Sequence, residues 1–471
     1  MDVIIFGTGK RYQNNRTMIR QKFNIMAFLD NNKELEGKHV DGVPVFTPNQ
    51  VSDLQPLPIL LVSAKEREMK AQLEGAGISK KRIWDWQKIQ CEINQGTYKV
   101  FLSDEKAGHR GKILLVSTFL SYNGGTIAIV YAAKELKKRG YDVTLAAPGG
   151  DENLIREING EGIRVLLCLF FPYACYDELL WVRQFDMAIV NVYQMIQCAC
   201  EISRYIPVLW WIHEPSDTYT YIYQDINDRF SEYTNSKCFT NINIRAVSSI
   251  ARRNFNLYYP EEIKNVLEFG IPDLWDGKVP QIGRSKHVFA IIGVVTVRKA
   301  QDIFLEAVKM MSSKYKAQAE FWIIGAICED DFGKEIRMSA DGEHSVKIWG
   351  SLTREEINRK YEEIDVVVCP SLEETFSIVV VEGMMYGKVC IASDATGVAQ
   401  YMDDKVNGLI CEVGDAASLA RQMEWVMEHS DELDLIKANA RKTYEQYFTM
   451  EKFGDRLEEA MEQTVGDYLK P

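Results

Sequence analysis

Pro370 to Gly387 reads PSLEETFSIVVVEGMMYG and follows the apolar run Asp365–Cys369. Four to five β-branched or apolar residues bounded by Pro have the length of a buried strand, and Ser377 stands where it can cap a helix starting at Ile378. Glu374 and Glu382 have seven residues between them, the first in the loop and the second on the helix. Two glutamates at this spacing are by themselves unremarkable, a local cap and a solvated helix residue. Here Ile378–Val381 and Met384–Met385 make the helix apolar nearly all round, so Glu382 is a lone charge in a buried element and needs a partner or a ligand. Ligands of open α/β sheets bind at the carboxyl ends of the strands, where this loop must lie. A helix N-terminus offers free N–H donors and about half a positive charge to an anion such as phosphate. A carboxylate one turn on can accept both hydroxyls of a vicinal diol, as in ribose.

Along the whole chain, a strand–turn–helix plan opens three times: Val3–Phe6 before Gly7-Thr8-Gly9, Ile113–Val116 before Gly124-Gly125, and Val288–Ile292 before Gly293. Such alternation predicts an α/β chain of parallel, doubly wound sheets. The middle segment adds a helix over Thr126–Arg139, closed by Lys137, Lys138 and Arg139 and by Gly140 as C′ residue, and strands at Asp142–Ala146, Met187–Val190 and Val208–Ile212. The last segment reads as strands near 288–292, 320–324, 346–349, 365–369 and 389–392, then helical stretches over Ala416–Gln446 and Met450–Gln463. The expected domains are 1–91, a linker 92–111, a lobe 112–270, a hinge 271–286, a second lobe 287–445, and a C-terminal helix in 446–471 returning to the first lobe.

With 471 residues, 46% hydrophobic and 26% charged, the chain has room for about three domains and the composition of an ordinary globular protein. Lys plus Arg number 55 against 67 Asp plus Glu, a net −12 that argues against a nucleic-acid binder. The ten cysteines form no C-x-x-C, which leaves neither a zinc ribbon nor a disulfide scaffold. Val165–Tyr176 (VLLCLFFPYACY) is too short for a membrane span and contains Pro172. The opening lacks a signal peptide, so the expected location is cytoplasmic, with at most peripheral contact at the inner membrane face.

The stretch Val346–Asp415, VKIWGSLTREEINRKYEEIDVVVCPSLEETFSIVVVEGMMYGKVCIASDATGVAQYMDDKVNGLICEVGD, resembles the carboxy-lobe pattern of the retaining glycosyltransferases of family 4, which have the GT-B fold. The resemblance runs over most of 112–465 and implies two Rossmann-like lobes. It places Glu374 against hydroxyls of the transferred sugar and Glu382 on the nucleotide ribose, with Thr375, Phe376, Ser377 and Ile378 offering backbone N–H groups to a diphosphate. GVVTVRKAQD (293–302) looks like the family's phosphate-binding segment with Lys299 as its lysine. The family often has Arg after the glycine and Gly after the lysine; here Val294 and Ala300 stand there, and Arg298 is the candidate replacement for the arginine. Gly124 and Gly125 match the amino-lobe Gly-rich loop, and His213 in WWIHEP resembles the active-site histidine near the sugar's C6 side.

The resemblance implies transfer of a sugar from a nucleoside-diphosphate donor to a glycan or lipid-linked glycan, with retention by same-face attack, in cell-surface polysaccharide or glycolipid assembly. No cofactor is expected. No Asp-x-Asp occurs in the chain, so no metal is expected either, and the leaving charge falls to Lys299, Arg298 and two helix N-termini. Two alternatives are a non-catalytic lobe pair stabilising another transferase and an epimerase or phosphorylase of the same fold. The aromatic-rich Trp210–Phe230 could line an acceptor site but reads more readily as core and lobe packing. The first 91 residues resemble an additional small Rossmann-like domain, with Gly7-Thr8-Gly9 and Asp30 at dinucleotide spacing but Tyr12 where a third glycine would stand. Docking or oligomerisation suits that domain better than nucleotide binding.

Overall fold

The computed structural model describes residues 1–63, 65–94, 98–103, 108–169, 171, 176–220, 223, 236–277 and 286–469. Parts of the expected linker (95–97 and 104–107), half of the expected hinge (278–285) and the tail of the aromatic stretch (221–222 and 224–230) lie outside them. The chain divides into two compact units, one built mainly from residues 1–100 and the other from most of 101–471.

In the first unit, strands run in the order His39–Val40, Val43–Phe46, Asn24–Leu29, Asp2–Phe6, Ile59–Leu61, Ile83–Trp84. All pairs are parallel except the hairpin His39–Val40/Val43–Phe46. Tyr12 is fully buried, its ring 4.9 Å from that of Phe28, so it serves the core where a third glycine would have served a phosphate. Asp30 is committed as well: its Oδ2 accepts from the Thr8 amide at 3.0 Å and the Thr8 hydroxyl at 2.6 Å, tying the acid to the Gly-x-Gly turn.

The second unit carries two sheets. The amino-lobe sheet includes, in spatial order, Asn265–Val266, Ile242–Ala246, Val208–Ile212, Met187–Asn191, Lys112–Val116 and Asp142–Ala147, all parallel. The carboxy-lobe sheet runs Val346–Gly350, Ala319–Ile324, His287–Ile292, Val366–Cys369, Val389–Ser393, Leu409–Cys411, also all parallel. Val-Leu-Trp-Trp-Ile at 208–212 and Val-Val-Val-Cys at 366–369 are buried at every position, as strands covered on both faces must be. Trp210, Trp211 and Tyr219 are fully buried, which makes this part of the aromatic stretch core packing.

The helix Gly124–Lys138 starts where Asn123 accepts from the Thr126 amide and ends before Gly140, whose φ of 92° takes the left-handed turn. The expected single stretch over Ala416–Gln446 is corrected to two helices, Ala416–Glu428 and Leu433–Tyr447. The break falls at His429–Glu432, where Ser430 and Asp431 interrupt the apolar period and favour turn over helix interior. The last helix, Met450–Tyr468, packs on the amino lobe: Phe453 stacks on Trp211 at 5.7 Å, and Arg139 pairs with Glu458 at 2.6 Å and Asp455 at 3.0 Å. Gly454 makes room for Arg139, since a Cβ there would lie 2.3 Å from its Nε. Gly270 does the same for the chain entering this helix, with a Cβ position only 2.4 Å from the Thr449 carbonyl oxygen.

Candidate functional site

Strand His287–Ile292 delivers Gly293, in extended left-handed backbone at φ 146°, and then a short 3-10 turn, Val297–Lys299. Ala300, at φ 58° and fully buried, starts the helix Gln301–Met310 in a left-handed conformation that favours glycine. The alanine thus keeps the turn at a cost of about 1 kcal/mol. The turn aims Arg298 and Lys299 at one carboxylate: Lys299 Nζ pairs with Glu374 Oε2, and Arg298 Nη1 reaches the same oxygen at 3.2 Å. Burial alone would raise the Glu374 carboxyl, but the two cations outweigh it and hold the group below the ordinary glutamate range. Val294 is half exposed beside this turn.

The loop carrying Glu374 is pinned on both sides. The Glu374 amide donates to Ala395 O at 3.0 Å and its carbonyl accepts from the Gly397 amide at 2.8 Å, while Leu372 N donates to Arg298 O at 2.9 Å. Ser377 takes φ 79° and caps the helix Ile378–Met385, accepting from the Val380 amide. Among the described residues the amides of Thr375, Phe376, Ser377 and Ile378 meet no acceptor, so four consecutive donors stand at this helix start. A methyl group placed on Gly124 would lie 3.9 Å from Ile378 Cδ1, so the amino-lobe Gly-Gly bend faces the same helix end. The Gly124 and Gly125 amides likewise find no acceptor among the described residues. Gly125 packs closely there, since a Cβ would approach Val192 Cγ1 to 3.3 Å. Val192 itself is a β-branched residue at φ 69°. Val192, Ala300 and Ser377 all hold left-handed backbone at the carboxyl ends of strands, and stored strain of this kind gathers at functional sites.

Glu382 is 2% exposed and has its partners inside the chain: Arg354 Nη2 lies 2.5 Å from Oε1, and the Tyr361 hydroxyl donates to Oε2 at 2.8 Å. Arg354 opens the helix Arg354–Glu363 at the end of strand Val346–Gly350, and nothing in the sequence spacing marked it. With one donor on each carboxylate oxygen, Glu382 retains further lone pairs.

His213 follows strand Val208–Ile212, its ring 4.5 Å from that of Trp211 and 6.4 Å from Phe269. Phe269 in turn packs against Phe376, ring centres 4.2 Å apart, which joins the histidine to the loop between the two glutamates. Burial holds its pKa down to about 3, so the ring is neutral at pH 7, and Nε2 is buried with no hydrogen-bond partner among the described residues. The adjacent Glu214, which no motif in the sequence singles out, is fully buried. Burial pushes it up to about 7 even though it accepts from the Tyr193 amide at 2.6 Å and the His213 amide at 2.9 Å.

Glu373, beside Glu374, is a second residue that the sequence did not single out. It reaches the amino lobe: its carboxylate accepts from the Ser216 amide at 3.1 and 3.2 Å, from the Ser216 hydroxyl, and from Asn254 Nδ2. The site therefore brings together His213, Gly124, Gly125, Arg298, Lys299, Glu374, Thr375, Phe376, Ser377 and Ile378 at the facing ends of two sheets, with Glu382 one turn inside the helix.

Residues 277–443 match the glycosyl transferases group 1 family. Residues 1–84 match a second family, C2185-like, N-terminal. Among curated relatives, the chain is 25% identical over 189 residues to the uncharacterized glycosyltransferase MJ1607 of Methanocaldococcus jannaschii, covering 39% of this chain and 48% of that protein. It is 27% identical over 171 residues to the amylovoran biosynthesis glycosyltransferase AmsK of Erwinia amylovora, covering 34% and 41%. The matched segments thus span about half or less of these relatives. Among solved structures, Anabaena Alr3699/HepE in complex with UDP and glucose superposes with a TM-score of 0.62 at 16% identity, over 75% of this chain and 100% of that one. The carboxy lobe is thus similar to group 1 glycosyl transferases over residues 277–443, and the two-lobed unit has the GT-B fold.

Proposed function

We propose that this chain is a retaining, metal-independent glycosyltransferase that moves a sugar from a nucleoside-diphosphate sugar to a glycan or lipid-linked glycan in cell-surface polysaccharide or glycolipid assembly. The observation that carries the reading is the meeting, at one cleft, of two helix starts with unpaired amides and the Lys299–Arg298–Glu374 cluster. Departure of a nucleoside diphosphate puts negative charge on phosphate oxygens, and preorganised amides and cations aimed at that charge lower the barrier. Lys299 and Arg298 are held in place by Glu374, which stays anionic because of them. Glu374 orients the cations and meets hydroxyls of the sugar; it is not a covalent nucleophile, and attack comes from the same face as departure. Glu382 takes the ribose diol with its remaining lone pairs while Arg354 and Tyr361 fix its position. The neutral His213 offers Nε2 to a sugar hydroxyl. The similarity to AmsK, named for amylovoran biosynthesis, supports a polysaccharide setting. Among the described residues no helix is long and apolar enough to cross a membrane.

The test is nucleotide release from UDP-, GDP- and dTDP-sugars with and without a glycan acceptor. Release that depends on acceptor supports transfer. Conversion of the donor without acceptor points to an epimerase, and no turnover of any donor contradicts the reading.

A further inference from the structure

We infer that Glu373 is a positioning residue, an inter-lobe latch that couples closure of the cleft to the placement of Glu374 and its cations; the inference rests on the nucleotide-sugar reading above. Its side chain and its backbone do separate work. The carboxylate crosses to the amino lobe, taking the Ser216 amide and hydroxyl from the segment after His213 and Asn254 Nδ2 from the helix Ser249–Asn256. The carbonyl of the same residue accepts from Arg298 Nη1 at 2.9 Å, and that same nitrogen donates to Glu374 Oε2 at 3.2 Å. One peptide unit is thus gripped by the amino lobe through its side chain and by the cation cluster through its oxygen. Separating the lobes breaks the hydrogen bonds at Ser216 and Asn254 and frees the 373–374 peptide that now fixes Arg298.

The chemistry suits a latch. The bonds are charge-assisted, which makes them about twice as strong as neutral ones. Asn254 is 3% exposed, so leaving its amide unpaired is costly, whereas Ser216 is exposed and water can replace its partner. The closed arrangement is therefore favoured without being locked, as release of a nucleotide from a two-lobed cleft requires. A donor that binds both lobes must use part of its binding energy to close them once the latch is gone, so apparent affinity falls by the loss in closed population.

The experiment compares full-length wild type with Glu373→Ala, Ser216→Ala and the double variant. Small-angle scattering without ligand reports the lobe spacing, and calorimetric titration with UDP reports nucleotide affinity. The expected result is a larger radius of gyration for Glu373→Ala, a smaller increase for Ser216→Ala, and a double variant no more open than Glu373→Ala. UDP affinity should fall by about tenfold to a hundredfold in Glu373→Ala, the loss of a few charge-assisted bonds, with partial recovery in Glu373→Gln. With a competent donor the KM should rise by a similar factor while kcat changes less, a split that loss of fold does not produce. An unchanged radius and unchanged UDP affinity in Glu373→Ala overturn the latch. Lobes that open in the variant while neither protein binds UDP support the latch and sink the nucleotide reading instead. Ser216 is exposed, so its variant keeps the test open should Glu373→Ala fold poorly.

Discussion

Replacing Glu214 by Gln should change how stability depends on pH, and the sign follows from burial. The Glu214 carboxyl, driven up to about 7 in the folded chain, has an ordinary value of 4.5 when unfolded. A raised carboxyl binds a proton in the native state that the unfolded chain has already released. Its stabilising contribution is complete below pH 4.5 and is lost as pH rises through 7. At about 1.4 kcal/mol for each pH unit between the folded and unfolded values, the contribution lost is about 3 kcal/mol. His213 works in the opposite direction: its pKa falls from 6.5 to about 3, so its contribution is complete above 6.5 and is lost as pH falls towards 3. Between about 4.5 and 6.5 the two neighbours offset each other in the wild type, which hides both. The variant unmasks the histidine. Urea denaturation of wild type and Glu214→Gln at intervals from pH 4.5 to 8 gives the difference in unfolding free energy, from which the shared His213 and any constant cost of the amide drop out. The difference should shift against the wild type by about 3 kcal/mol over this range. A difference that stays level, or that moves in favour of the wild type as pH rises, refutes the assignment of a protonated, buried Glu214.

Three other substitutions test the remaining structure. Lys299→Ala should lower sugar transfer by about 10²- to 10³-fold with the melting temperature little changed, and steady-state kinetics beside a thermal melt checks it. Arg354→Ala leaves Glu382 buried with only Tyr361 as donor; because the arginine side chain is 47% exposed, the loss should be about 2 kcal/mol in urea, below that for a fully buried pair, and Glu382→Gln in the same background should recover most of it. Arg139→Ala removes bonds to Glu135, Asp455, Glu458 and the Glu451 carbonyl, and should destabilise by about 3 kcal/mol while speeding proteolysis within the Met450–Tyr468 helix.

Much of this architecture was legible because its signals are local. Ser377 caps the helix at Ile378, Gly140 closes the helix Gly124–Lys138, which starts two residues before the expected Thr126, and the parallel strands appear as short apolar runs near their expected places. What could not be read depends on contacts between distant segments. Glu373 meets Ser216 and Asn254, which are 157 and 119 residues away, and no local pattern marks either contact. Glu382 announced that it needed a partner, but Arg354 is 28 positions earlier on another helix, and no spacing rule joins them. In the first unit the Gly-x-Gly turn and Asp30 had dinucleotide spacing, yet Thr8 takes the acid and Tyr12 takes the core. Ala300 is the opposite case: the departure was visible in the sequence, and only the backbone angle showed that alanine bears the strain of a glycine position.

Titration of the full chain with UDP, GDP and dTDP, repeated on Lys299→Ala, is the decisive measurement for the cleft. One nucleoside diphosphate should bind the wild type and bind the variant at least about tenfold more weakly, because a charge-assisted contact to phosphate is lost. Binding of none of the three, or equal binding by both proteins, would contradict the assignment.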